Sequence, residues 1–370
     1  LKICFVFGTR PEVIKIAPVY LEFAKSSFKP FLIATAQHRE MMDMMLEVFG
    51  FSVKYDLNIM THNQTLNSIT SRVVSKLHPI MEREKPDVLF VQGDTTTAMA
   101  AAICAFHLGV KIAHIEAGLR SGSLRDPFPE EMNRRVIDTL SDYLFAPTQR
   151  AKENLISEGI DPKKIFVVGN TVVDALNFIR SKADFTRIRR QITNLNNYVL
   201  LTLHRRENIG IRMENILQAV KSFAEEKLVP VLFPVHKNPR VREIVRNVLN
   251  GCQYVQLIEP VNYVEFLSLL DNCLFVVTDS GGIQEEAPSF RKFVVVARET
   301  TERPELIENG CGVLSGTERE SVYNAMVTAM NRTTKSFENP FGDGRSSQRI
   351  LSIVEERLSD EISHSSCRLR

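Results

Sequence analysis

The sequence predicts an α/β protein built from two doubly wound domains facing a central cleft. Three observations carry this expectation. Short apolar runs alternate with segments whose apolar residues recur at a spacing near 3.6, as parallel strands covered by helices on both faces require. The alternation also occurs twice. It runs to about Gly169, passes through a helix, loosens over the polar stretch Arg187 to Asn197 and restarts at Tyr198-Val199-Leu200-Leu201-Thr202-Leu203. Finally, the residues able to do chemistry fall, in both halves, at a strand's carboxyl end or at the helix start that follows. A chain of 370 residues is long for one core, which also favours two domains. The expected division is 1–169 and 170–345, with the join between Gly169 and Asn197. A last helix over about 346–362 could cross back onto the first domain.

Strands are expected to begin near Ile3, Phe31, Val88, Ile112, Tyr143 and Phe166, and then near Val199, Val231, Tyr254, Leu274, Phe293 and Val313. Helical spacing is clear from Leu66 to Met81 and from Ile216 to Phe223. The polar tail from Ser363 to Arg370 is expected to fray. A formal net charge of +2 excludes a large basic surface for nucleic acid. The six cysteines are scattered, mostly in apolar patterns and with no C-x-x-C pair, which signals neither a zinc site nor a redox dithiol. They read as buried thiols in a reducing compartment. No apolar run reaches the length of a membrane span, and the chain opens on strand residues Ile3-Cys4-Phe5-Val6-Phe7 rather than on a secretory leader. A cytoplasmic protein without membrane or nucleic-acid partners is the expectation.

The first chemical motif is Gly8-Thr9-Arg10-Pro11-Glu12, after the first strand. Gly8 would allow a tight turn and Pro11 suits the first helical position. Such a turn offers backbone N–H groups to an anion, with Arg10 and Lys15 to add charge. It also reads as a plain strand-to-helix turn, and it is neither a P-loop nor G-x-G-x-x-G. Gln92-Gly93-Asp94-Thr95-Thr96-Thr97 ends another strand, where Asp94 could cap the next helix or face a ligand. His114-Ile115-Glu116-Ala117-Gly118-Leu119-Arg120-Ser121 puts Glu116 at the end of an apolar strand. Pro127-Phe128-Pro129-Glu130-Glu131-Met132-Asn133-Arg134 puts two acids at a helix start. A core gives such carboxylates no reason to be there, although helix-start glutamates also complement the dipole. Acids converging on one crevice are what proton transfer to and from carbon needs.

In the second half, His204-Arg205-Arg206-Glu207-Asn208 ends an entirely apolar strand, and His236 ends the next. Asp279-Ser280-Gly281-Gly282-Ile283-Gln284-Glu285-Glu286 follows another strand and opens a helix. The glycines would let a ligand's oxygens approach the amides. Ser280 could cap the helix and donate to a phosphate, and Glu286 could bind adjacent ribose hydroxyls. Thr300-Thr301-Glu302-Arg303-Pro304-Glu305 offers Arg303 to the same anion.

At these residues the chain resembles the non-hydrolysing UDP-N-acetylglucosamine 2-epimerases. The matching blocks are FGTRPEVIKIAPV, TAQHREMMD, VQGDTTTAMAAAICAF, HIEAGLRS, PFPEEMNR, VGNTVVDAL, HRRENIG, PVHKNPRVRE, DSGGIQEEAP and TTERPE, with GDGRSSQRI beyond them. The resemblance implies two Rossmann-like domains of the GT-B type and a homodimer. It assigns UDP contacts to Arg10, Lys15, Ser280, Gly281, Gly282, Glu286 and Arg303, and catalysis to Asp94, Glu116, Glu130 and His204. Activation by a second substrate molecule, as in many bacterial members, would involve Gln37, His236 and Glu40. The chain departs from the family pattern at Arg291-Lys292-Phe293, where Gly-Lys-Pro is usual. It also departs at Glu40, where glutamine is common, and near Asn63, where an arginine is.

The implied reaction needs no metal or redox cofactor. The C2 hydrogen of the sugar is poorly acidic, and positive charge developing at C1 as UDP departs makes it easier to remove. Elimination to 2-acetamidoglucal and UDP, followed by re-addition with protonation on the other face, inverts C2. The alternatives are a 2-epimerase of a modified UDP-sugar of the diacetamido-glucuronate type, a GT-B glycosyltransferase and a non-catalytic nucleotide-sugar sensor.

Overall fold

The computed structural model describes residues 1–35, 39–61, 64–125, 127–332 and 338–367. Two compact units emerge, one of Leu1–Phe178 with Phe341–Arg370 and one of Ile179–Pro340. In the first, strand and helix alternate as β1 (Lys2–Phe7), α1 (Arg10–Ala24), β2 (Lys29–Ala34), α2 (Arg39–Phe49), β3 (Tyr55–Asp56), α3 (Leu66–Glu84), β4 (Val88–Gln92), α4 (Thr96–His107), β5 (Lys111–Ile115), α5 (Glu130–Leu140), β6 (Tyr143–Ala146), α6 (Gln149–Ser157) and β7 (Ile165–Val167). Helix α7 (Thr171–Lys182) spans the border between the units. The second unit follows as α8 (Phe185–Ile192), β8 (Val199–Thr202), α9 (Ile211–Lys227), β9 (Val231–Pro234), α10 (Pro239–Leu249), β10 (Val255–Ile258), α11 (Tyr263–Asn272), β11 (Phe275–Thr278), α12 (Gly281–Glu286), β12 (Phe293–Val296), α13 (Pro304–Glu308), β13 (Gly312–Leu314) and α14 (Arg319–Met330). The last helix, α15 (Ser346–Cys367), belongs to the first unit and packs on α1.

Each unit holds one parallel sheet. The orders are β3-β2-β1-β4-β5-β6-β7 and β10-β9-β8-β11-β12-β13. Central strands are apolar along their whole length because helices cover both faces; β4, β8, β11 and β12 are buried at every residue. The core of the first unit gathers residues such as Val6, Ile33, Val91 and Ala101, and that of the second Leu201, Phe223, Val277 and Val295. Both orders reverse direction at a central pair, β1/β4 and β8/β11. Connections leaving such a pair diverge to opposite faces and open a crevice at the carboxyl ends of the strands. The motifs after β1, β4, β8 and β11 therefore sit where a doubly wound sheet binds ligands.

The twelve expected strands lie within two residues of where the sequence put them, and β3 is the one it missed. Its two residues are too short to show an alternation, and Lys54 and Tyr55 are held to Glu84 of α3 by side-chain bonds instead. The polar stretch after Arg187 does not loosen at once, because α8 continues through Ile192, capped by Asp184 and with Phe185 and Arg189 buried. The fraying expected from Ser363 is not seen among the described residues, where α15 runs through Cys367; residues 368–370 lie outside them.

Candidate active site

In the first unit the connection after β1 is organised by Glu12. It is buried, takes the Gly8 N–H at 3.1 Å and receives the Thr95 hydroxyl at 2.9 Å, so one carboxyl joins the β1–α1 and β4–α4 connections. Burial raises this carboxyl from 4.5 to about 7, against the hydrogen bonds from Thr9, Thr95 and Gly8 that lower it. Gly8 is not needed for a tight turn. A Cβ there would lie 2.4 Å from the Thr35 hydroxyl and 3.1 Å from that of Thr97, so close approach of neighbouring chain excludes a side chain. Pro11 stands second in α1, behind Arg10, with Thr9 as the N-cap residue. Arg10 is half-buried at that helix start.

After β4, Thr95 rather than Asp94 caps the helix, its hydroxyl accepting from the Ala98 N–H. Asp94 is thereby left to other partners: Arg134 of α5 grips its carboxylate, and Asn133 donates to its carbonyl at 2.8 Å. Glu116, just past β5, is buried and adopts φ 71°. Lys15 from α1 pairs with its carboxylate, and Gln92 at the end of β4 donates to it at 2.7 Å. Glu130 is the first residue of α5, and its Oε2 is buried without a hydrogen-bond partner among the described residues. Glu131 plays a different part. It is fully buried and holds Arg134 at 2.8 Å, Arg135 at 3.2 Å and the Ser121 N–H at 3.1 Å.

In the second unit, buried Asp279 at the end of β11 accepts from the backbone N–H of His204 at 3.1 Å, that of Arg205 at 3.0 Å and Asn208 Nδ2 at 3.1 Å. It fixes the chain leaving β8, while the His204 side chain stays 44% exposed. His236, at the end of neighbouring β9, is exposed too, its ring 6.1 Å from that of His204. Ser280 occupies the N-cap position of α12, but its hydroxyl does not cap it. Gly281 makes room for Arg303, whose Nη1 would lie 2.9 Å from a Cβ there; Arg303 is tied to Glu285 at 2.6 Å. A Cβ on Gly282 would sit 4.0 Å from both Ser280 Oγ and Glu286 Oε1, so those two oxygens border the same open space. Glu286 is buried and receives the Tyr263 hydroxyl at 2.9 Å.

The sites expected from sequence thus divide. Asp94, Glu116, Glu130, Arg10 and Lys15 belong to the first unit, and His204, His236, Ser280, Gly281, Gly282, Glu286 and Arg303 to the second. Gln37 and the side chain of Glu40 lie outside the described residues. Sequence reading gave no role to Glu12, Gln92, Asn133, Arg134 or Asp279. A signal existed for Glu12, which completes a Thr-x-x-Glu spacing with Thr9. One existed for Asn133 and Arg134 too, three and four positions after Glu130 on one helix face.

Comparison with known proteins agrees with this fold. The family model for UDP-N-acetylglucosamine 2-epimerase matches residues 22–355. A UDP-N-acetylglucosamine 2-epimerase from Bacillus subtilis is 43% identical over 365 residues, covering 97% of this chain and 95% of that protein. The crystal structure of the Neisseria meningitidis UDP-GlcNAc 2-epimerase bound to UDP-GlcNAc superposes with a TM-score of 0.88 at 41% identity, covering 96% of this chain and 100% of that one. The Methanocaldococcus jannaschii enzyme in complex with UDP-GlcNAc and UDP gives 0.83 at 37% identity, with 96% and 100% covered. Two parallel sheets with their polar side chains at the strand ends, together with this similarity over nearly the whole length, show that the chain belongs to the UDP-N-acetylglucosamine 2-epimerase family, nucleotide-sugar isomerases with a GT-B-like fold.

Proposed function

We propose that this protein interconverts UDP-N-acetylglucosamine and UDP-N-acetylmannosamine by eliminating UDP to 2-acetamidoglucal and adding it back. One observation carries the reading. Three carboxylates come from two successive strand–helix connections of one sheet, Asp94 after β4 and Glu116 and Glu130 at the two ends of the β5–α5 connection, with Asp94 paired to Arg134 and Glu116 to Lys15. Inverting C2 requires proton transfer on both faces of the sugar, so more than one acid/base group is needed. Glu116 and Glu130 share that work with Asp94, and His204 assists or binds the diphosphate. The cations Arg10, Lys15 and Arg303 stabilise the leaving diphosphate, and Glu286 takes the ribose hydroxyls. The Oε2 of Glu130, buried and without a hydrogen-bond partner among the described residues, supports its role, because a buried carboxylate oxygen without a donor is costly unless a ligand or proton uses it.

In the division we propose, the N-terminal Rossmann-like domain, about 1–169, carries the three carboxylates with Arg10 and Lys15, and the C-terminal UDP-binding one, about 170–345, carries His204, Ser280, Gly281, Gly282, Glu286 and Arg303. The proposal extends to a cytoplasmic homodimer. His236 beside His204 makes a second substrate site involving Gln37, Glu40 and His236 part of the same reading. No described helix is long and apolar enough to cross a membrane.

The test is proton NMR of UDP-N-acetylglucosamine with the purified protein in D₂O, without acceptor or cofactor. A new manno anomeric signal with deuterium at C2 is expected. No exchange and no new sugar, with turnover of a diacetamido-glucuronate analogue instead, would transfer the activity to a modified UDP-sugar. Activity only with an added acceptor would move it to glycosyl transfer.

A further inference from the structure

His114 is the next-to-last residue of β5, between Ala113 and Ile115, paired in register with Val91 and Leu144, and is 0% exposed. An apolar side chain would serve the sheet there at less cost than a buried imidazole. Its Nε2 is 2.8 Å from the Gly93 carbonyl oxygen, and its Nδ1 is 2.6 Å from Asp138 Oδ1. A carbonyl only accepts, so Nε2 carries a proton.

On the other side, Asp138 carries the contact onward. Its second oxygen accepts from Arg120 at 2.8 Å and from the Gly118 N–H at 3.3 Å. Burial pushes the Asp138 carboxyl up, but His114 and Arg120 outweigh that and hold it below its ordinary range. Asp138 thus joins Nδ1 of His114 to the Gly118 N–H and the Arg120 guanidinium. The ring stands at one end of a row of His114, Asp138, Arg120 and Glu158, the last pair bonded at 2.6 Å.

Each end of the row meets a loop that the mechanism uses. Gly93 has φ 68° and directly precedes Asp94. Gly118 and Arg120 lie just after Glu116, so Asp138 holds the chain on that side. We propose that His114 is a positioning residue, a buried ring that spans the connections carrying Asp94 and Glu116 and keeps both acids in register for proton transfer at C2. This rests on the reading of Asp94 and Glu116 as acid/base groups.

Two variants divide the ring's two bonds. His114→Asn can still donate to Asp138 from the position of Nδ1 but releases the Gly93 carbonyl. His114→Gln reaches the carbonyl from the position of Nε2 but releases Asp138. The measurement is steady-state epimerisation of UDP-N-acetylglucosamine with C2 deuterium uptake, alongside UDP affinity by calorimetry and thermal unfolding. Wild-type protein is assayed first, and if it incorporates no deuterium the functional reading fails before the variants are considered. With an active wild type, the expected result is a tenfold or greater loss of kcat and of deuterium uptake in both folded variants, with KM and UDP affinity within about threefold. A kcat near wild type in either variant overturns the proposal. So does a loss of kcat matched by an equal loss of UDP affinity, or failure of both variants to fold, since each would make His114 a residue of the sheet rather than of the reaction.

Discussion

Glu116 holds a left-handed backbone conformation, φ 71°, that costs an ordinary L-residue about 1–2 kcal/mol. Its carboxylate is meanwhile fixed by Lys15 and Gln92. Strain kept in place by charged and polar contacts is characteristic of a working group. Glu116→Gln and Glu130→Gln are each expected to lower turnover by about 100-fold or more while the protein stays folded. Near-normal turnover in either variant would remove that residue from the scheme. Arg291 shares the left-handed conformation, φ 56°, without any such role. It is exposed, and its N–H closes the turn after Phe290 onto the Pro288 carbonyl at 3.0 Å. The family's usual glycine at this position has a physical reason here, since glycine adopts that conformation without a Cβ penalty. Arg291→Gly should stabilise the protein by up to about 1 kcal/mol in urea unfolding, with activity unchanged. A destabilised variant would mean that the arginine side chain contributes more than its backbone costs.

The unit of the site is the strand–helix connection, and Glu12 shows how two are joined. Its carboxyl bonds to both the β1–α1 and β4–α4 connections. It ionises near 4.5 in an unfolded chain and at about 7 in the folded one. Between those values the native state binds more protons than the unfolded state. The contribution of Glu12 to stability is thus fully present below the lower value and falls as pH rises, by about 3 kcal/mol at most, levelling off above about 7. Glu12→Gln can still accept from Gly8 and turn its amide towards Thr95, so it should fold. Its stability, measured by urea unfolding from pH 4.5 to 7.5, should lose that decline. An equally steep decline in the variant would assign the pH dependence to other groups.

On the scale of the whole molecule, two units that share one strand order over six strands, extended by β7 in the first, each direct their polar residues to the carboxyl ends of a parallel sheet. The first unit is completed from the far end of the chain. Helix α15 packs on α1, burying Ile350, Val354 and Leu358, and Asp174 of α7 accepts from the Ser346 and Ser347 N–H groups at its start. Ile350 is wholly buried, so Ile350→Ala should cost about 2–5 kcal/mol in chemical unfolding. A loss below about 1 kcal/mol would mean that α15 is not integral to that core.

Strands, helices, fold class and most of the candidate site were legible because each has a local signature. Apolar runs mark the central strands, and glycine, proline and acidic residues mark the connections that follow them. The resemblance in motif order then named the candidates proposed for the site. What the sequence could not show were the partners that meet across long separations. Thr95 displaces Asp94 as the helix cap, and Arg134 takes up the freed carboxylate. Asp279 ties down the chain around His204, 75 residues earlier. Gly8 is required by Thr35 and Thr97 rather than by its own turn. His114 reads as one polar residue in an apolar run until Gly93 and Asp138 are brought to its two nitrogens. Sequence periodicity records which face of an element is buried; hydrogen-bond partners and protonation states depend on which atoms the folded chain brings within about 3 Å, and only the tertiary structure decides that.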